Sequence, residues 1–319
     1  MDQTVEHSIF DLLQEVDGLV RAALDQTCMD PSQTVRGLHL VPEEVRQSFS
    51  SPQGLGPRDG VHVDWGAVAE RHVKLAALVR YFGLGPFEIG ALLLALAPEL
   101  DGRYARAYAL LQDDVSRRLP SIELCLSLLC DTREGRLRAL AGLEAEGGPL
   151  RHRVLVRVPQ GGAAVEDGLR LDPQIARVLG VGGDGLDPRL AETCQVINAP
   201  ADGVGEMFPD PVTARLRLKP GALGQVVYLR TNALTAAQAA AMMLARSADL
   251  AVQEIDLKLL PVTLHDIAAR ECGFFRRLPL IRFNDTPPDA LRSFWAACQR
   301  FGLSLCLTGP DVWREPQDM

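Results

Sequence analysis

The 319 residues contain no GxxxxGK[ST] phosphate loop, no CxxC pair and no long apolar run. The first absence argues against magnesium-nucleotide chemistry of the usual kind. The second, with no histidine cluster near any of the seven cysteines, makes a zinc site improbable. Reduced thiols in a cytoplasmic protein are expected instead. The longest apolar stretch, Ile89–Ala97, is far short of the roughly 20 residues a membrane helix needs. Basic charge is also in deficit, with 33 Lys and Arg against 41 Asp and Glu. From Gly221 onward ten basic residues balance ten acidic ones, so the whole net charge of −8 precedes that point. An acidic front half argues against tight non-specific DNA binding, which depends on neutralising phosphates. The opening MDQTVEHSIFDLL has acids where a signal peptide has bases, so no secretion signal is expected.

What is present is a long helical part followed by strand–helix alternation. Ile9, Leu12, Leu13, Val16, Val20, Ala23 and Leu24 share one face of a first helix. A short helix is expected from Pro42 or Glu43, then a Ser-, Gly- and Pro-rich loop over 48–60. Asp64 fits the N-cap of the next helix, and Gly83–Gly85 its end. Pro86 opens a second helix that Pro98 is expected to stop. A third, Gly102–Leu119, sets Tyr104, Tyr108, Leu111 and Val115 inward, with Asp113–Arg117 and Asp114–Arg118 as i,i+4 pairs. Ser121 opens the apolar segment SIELCLSLLC, and a polar helix follows near Thr132–Ala145. Arg153–Val158 and Gly168–Leu171 read as two short strands joined by turns, followed by a helix over Gln174–Leu179. Helices followed by a small hairpin fit either a winged-helix arrangement or an unclassified helical domain.

Glycine, aspartate and proline mark a boundary over 180–188 and 199–211. Beyond Gly221 the pattern is βαβαβαβ: strands Gln225–Arg230, Leu250–Leu257, Leu280–Phe283 and Leu303–Thr308, with helices Thr235–Ser247, Thr263–Arg276 and Pro288–Phe301. Such alternation implies a parallel sheet. In a phosphate-binding protein the first strand would run into a glycine-rich loop ending in Lys and Ser or Thr. Here RTNALTAA occupies that place. Arg230 and Thr235 stand where glycines belong, and Ala236 and Ala237 where the lysine and hydroxyl belong. Asn284 stands at the metal-acid position after the third strand, with Asp285 one place on, and Thr308 ends the fourth strand where a polar sensor could sit. Turn chemistry after a buried strand accounts for Asn284, Asp285 and Thr308 as well. Arg230 could hold an anion near the helix start or simply be a solvated strand end.

The segments TVRGLHLVPEEV (Thr34–Val45), FGLGPFEIGALLLALAPELDGRYARAYALLQDD (Phe82–Asp114), GGPLRHRVLVRV (Gly147–Val158) and LRLDPQIARVLG (Leu169–Gly180) together resemble the N-terminal region of AAA+ ATPases associated with phage-tail-like contractile injection systems. The resemblance runs from Thr34 to Trp313. It implies an α/β protein overall, with a mainly helical, winged-helix-type N-terminal domain followed by a degenerate, P-loop-like parallel α/β domain. The expected limits are 1–60 for an N-terminal helix and connector, 61–200 for the helical domain and 221–319 for the incomplete AAA+-like domain. No catalytic AAA+ domain with an intact phosphate loop, fifth strand or helical lid is expected in this sequence and no arginine finger can be assigned, so ATP hydrolysis is not carried over.

The expectation is therefore a non-catalytic adaptor or regulatory module with no cofactor and no bound metal, ATP and Mg²⁺ entering only if the degenerate site is rescued. Its partner would be a protein, such as a catalytic AAA+ subunit or a component of the injection apparatus, and self-association is compatible. Three alternatives stand beside it: the N-terminal part of a longer ATPase, a weak ATPase completed by a neighbouring subunit, and a winged-helix nucleic-acid binder. The last would use Arg133, Arg136, Arg138, Arg151, Arg153 and Arg157, although SIELCLSLLC carries no basic residue to read bases. His72, His152 and His265 are isolated and read as structural. Glu43–Glu44 and Asp113–Asp114 read as solvent-facing.

Overall fold

The structure, a computed structural model, describes residues 8–28, 63–180, 183, 185–197, 218, 224–231, 233–283 and 286–310. The expected helix near Pro42, the loop over 48–60 and Asn284, Asp285 and Trp313 lie outside these residues. The chain divides into two compact units, Met1–Gly183 and Asp184–Met319.

The first unit contains helices α1 (Ile9–Cys28), α2 (Trp65–Glu70), α3 (Val73–Phe82), α4 (Pro86–Leu100), α5 (Gly102–Leu111), α6 (Ile122–Leu129), α7 (Arg133–Glu144) and α8 (Pro173–Gly180), with strands β1 (Leu155–Val158) and β2 (Gly168–Leu171). Helix α4 is its axis. Every residue from Ile89 to Ala97 is buried, the signature of a helix enclosed on all sides; α1, α2, α5, α6, α7 and β2 pack around it. Gly90 makes the closeness possible. A Cβ there would lie 2.8 Å from Leu129 Cδ2 and 3.1 Å from Trp65 Cε2.

Local chemistry sets the helix ends. Asp64 caps α2 by accepting from Ala67 N at 3.0 Å. His72, read as isolated, caps α3 through Nδ1, which accepts from Leu75 N at 3.2 Å. Gly83, at φ +63°, closes α3 in the left-handed conformation that glycine adopts without strain. Pro98 does not stop α4, which continues to Leu100. A proline leaves the carbonyl four residues earlier without its helical donor. Here that carbonyl, Leu94 O, accepts instead from the buried Tyr108 hydroxyl at 2.9 Å.

Helix α5 ends at Leu111, short of the expected Leu119, and Val115 is 87% exposed rather than inward. Asp113 turns left-handed at φ 52°. Gln112 then organises the exit, its Nε2 donating to the carbonyls of Tyr108, Arg117 and Leu119 while its Oε1 accepts from Ser121 N. The expected i,i+4 pairs give way to Arg117 bridging Asp114 and Glu166. Ser121 caps α6, its Oγ accepting from Leu124 N at 3.1 Å. β1 and β2 pair antiparallel, Leu155 opposite Leu171 and Val158 opposite Gly168.

The second unit is a five-stranded sheet with helices on both faces. Among the described residues its strands and α-helices are β3 (Cys194–Ile197), β4 (Val226–Arg230), α9 (Leu234–Arg246), β5 (Ala251–Ile255), α10 (His265–Phe274), β6 (Arg277–Arg282), α11 (Pro288–Arg300) and β7 (Leu305–Gly309). The strand order is β3-β5-β6-β7-β4. The last four are mutually parallel, as expected from the alternation, and β3 adds antiparallel to β5. From β4 the chain crosses the sheet to β5 and then returns stepwise through β6 to β7. A constant crossover hand then places α9 on one face and α10 and α11 on the other. Accordingly Ala241, Met242 and Leu244 of α9 pack with Val252, Leu280 and Cys306, whereas Ile267, Cys272, Phe294 and Cys298 pack with Ile255, Ile281 and Leu307. Helix α10 starts at His265 after a 3₁₀ turn, Val262–Leu264, so Thr263 is not its cap. β6 begins at Arg277, three residues before the expected Leu280.

Candidate functional site

In open α/β sheets ligands gather at the carboxyl ends of the strands. The carboxyl ends of the neighbouring parallel strands β4 and β7 form part of that edge here. Arg230 is there, exposed, its Cα opposite Gly309. Thr308 is buried, and its carbonyl accepts from Phe283 N at 2.8 Å. Only three positions, 231–233, separate β4 from α9, too few to wrap phosphates in the manner of a glycine-rich loop. Thr231 N donates to Gly309 O at 2.9 Å, and Thr231 Oγ1 accepts from Ala233 N at 3.1 Å. Thr235 and Ala236 fall in the first turn of α9, exposed and half-buried, while Ala237 is buried in the helix. Arg230, Thr235, Ala236 and Thr308 thus stand at one edge. Asn284 and Asp285 lie outside the described residues.

A polar cluster that sequence reading missed sits at the same edge. Gln238 Nε2 donates to Glu254 Oε2 at 2.9 Å. Arg282, at the end of β6, stands 3.9 Å from Glu254 and 3.8 Å from Asp256. Two strands and a helix contribute these groups, so no local spacing could have announced them. The cluster sets a guanidinium beside the carboxylates that end β5. Among the described residues no group of three or more His, Cys, Asp or Glu could hold a metal ion.

Deeper in the unit, Asp187 is held by Arg189, with Nη2 to Oδ2 at 2.5 Å, and lies 3.8 Å from the fully buried Arg270. Burial opposes ionisation of Asp187, but the Arg189 hydrogen bonds and the two guanidinium charges outweigh it and lower its pKa. His265 is buried with Nδ1 3.0 Å from Ser293 Oγ; burial lowers its pKa against the raising effect of the Leu260 carbonyl. Cys125, Cys130, Cys194, Cys272, Cys298 and Cys306 are free and buried. Burial pushes these thiols up, Cys130 to about 11 and Cys306 to about 12, which suppresses the reactive thiolate.

In the first unit, α6 and α7 are joined by the three residues 130–132 in a helix–turn–helix. SIELCLSLLC supplies α6, whose Ile122, Leu124, Cys125, Leu126 and Leu128 are buried. The helix of the pair that faces solvent is α7. It is capped by Thr132, whose Oγ1 accepts from Gly135 N at 3.0 Å, and buries only Ala139 and Leu143. The six arginines divide by environment. Arg136 is bound by Glu123, and Arg157 by Glu144 with Asp167 at 3.8 Å. Arg133, Arg138, Arg151 and Arg153 are exposed. Arg151, Arg153 and Arg157 rim a cleft of about 280 Å³ whose apolar wall is Leu150, Leu155 and Val156. Residues 159–167, joining β1 to β2, contain no Lys or Arg and end in Glu166–Asp167.

A family model described as a winged helix domain, variant, matches residues 66–194. The match spans α2 to the first residue of β3 and takes in the helix–turn–helix and the β1–β2 hairpin. No curated protein and no solved structure shows a significant match to the chain.

Proposed function

We propose that this chain is a non-catalytic, AAA+-like adaptor that works through protein contacts, in the cytoplasm and in the service of a contractile injection apparatus. The observation that carries the reading is the carboxyl edge of the second unit's sheet. The β4–α9 connection has three positions and neither glycine nor lysine, and the neighbouring carboxylates stand beside Arg282. A nucleotide would meet no phosphate cradle there. The order β5-β6-β7-β4, which seats the first parallel strand beside the fourth, supports an AAA+-like origin. The sequence blocks quoted above support the link to injection systems.

Unfolding in the presence of Mg-ATP tests the non-catalytic part. A site with micromolar affinity would stabilise the chain by about 4 kcal/mol at a thousandfold excess over Kd. The adaptor reading expects no shift in the unfolding midpoint at millimolar Mg-ATP or Mg-ADP. A shift of that size, or steady phosphate release, would overturn it.

A further inference from the structure

We draw no further inference here: the strongest candidate, the cleft of about 510 Å³ beside the carboxyl end of α9, where Met242, Leu250 and Phe275 stand with Arg246 and Arg276, carries nothing, because Arg276 is already held by Asp249 and nothing in the structure shows what covers the apolar wall.

Discussion

The two units fill a buried interior in different ways. The first encloses an uninterrupted apolar helix, α4, and deals with its polar loose ends by hydroxyl, imidazole, carboxamide and carboxylate hydrogen bonds at the helix termini, the buried Asp172 accepting from Gln174 N at 3.0 Å. The second buries charge: Asp187, Arg270 and Glu271 are each about 1% exposed or less, and Arg277 donates to Gln253 at 3.1 Å. An apolar interior tolerates small changes in proportion to volume. A buried ionic one fails abruptly when one partner is removed, because the charge left behind has no water to turn to.

The comparison is broken most sharply at Arg270. Arg270→Ala should destabilise the second unit by about 3–5 kcal/mol, the usual cost of removing one partner of a buried ion pair, as read by denaturant unfolding. A loss below 1 kcal/mol, itself on the order of an exposed pair's worth, would mean the buried charges are not coupled. In the first unit the corresponding test is steric. Gly90→Val forces carbon into the space held by Leu129 and Trp65 and should cost about 1–3 kcal/mol. Tyr108→Phe should cost about 1–2 kcal/mol by leaving Leu94 O without a donor. Combining it with Pro98→Ala, which restores the backbone N–H, should recover part of that loss. Strict additivity of the two substitutions would show that Tyr108 and Pro98 are not linked.

The smallest effect is expected from pH. The His265 pKa is lowered in the folded state, so below about 6.5, the ordinary value, the unfolded chain binds the proton first. Stability of the second unit should therefore fall as pH drops below that value, and the slope should lessen in His265→Gln. An unchanged slope in the variant would assign the dependence to another group.

Sequence reading reached the elements whose signals are local. Strands β4, β5 and β7, helices α9 and α11 and the caps at Asp64 and Ser121 follow from alternation, periodicity and capping chemistry. It failed where distant groups decide. Pro98 reads as a helix stop until Tyr108 is known to replace the missing donor. Val115 fits the inward spacing of α5, but Gln112 and the left-handed Asp113 end the helix before Val115. The four-residue strand β3 gains its identity only from β5, from which it is separated by more than fifty residues. At the candidate edge, the strand end at Arg230 and a helix beginning near Thr235 were legible in RTNALTAA. The Gln238–Glu254–Arg282 cluster was not, because its members converge only through the sheet order. In the helical unit the arginines were legible as a cluster, but not which of them are already neutralised.

Calorimetric titration of the full chain with Mg-ATP and Mg-ADP tests the central claim most directly. The account predicts no binding heat up to millimolar nucleotide. Saturable micromolar binding, abolished by substitution at Arg230 or Thr308, would contradict it and make the carboxyl edge of the sheet a working nucleotide site.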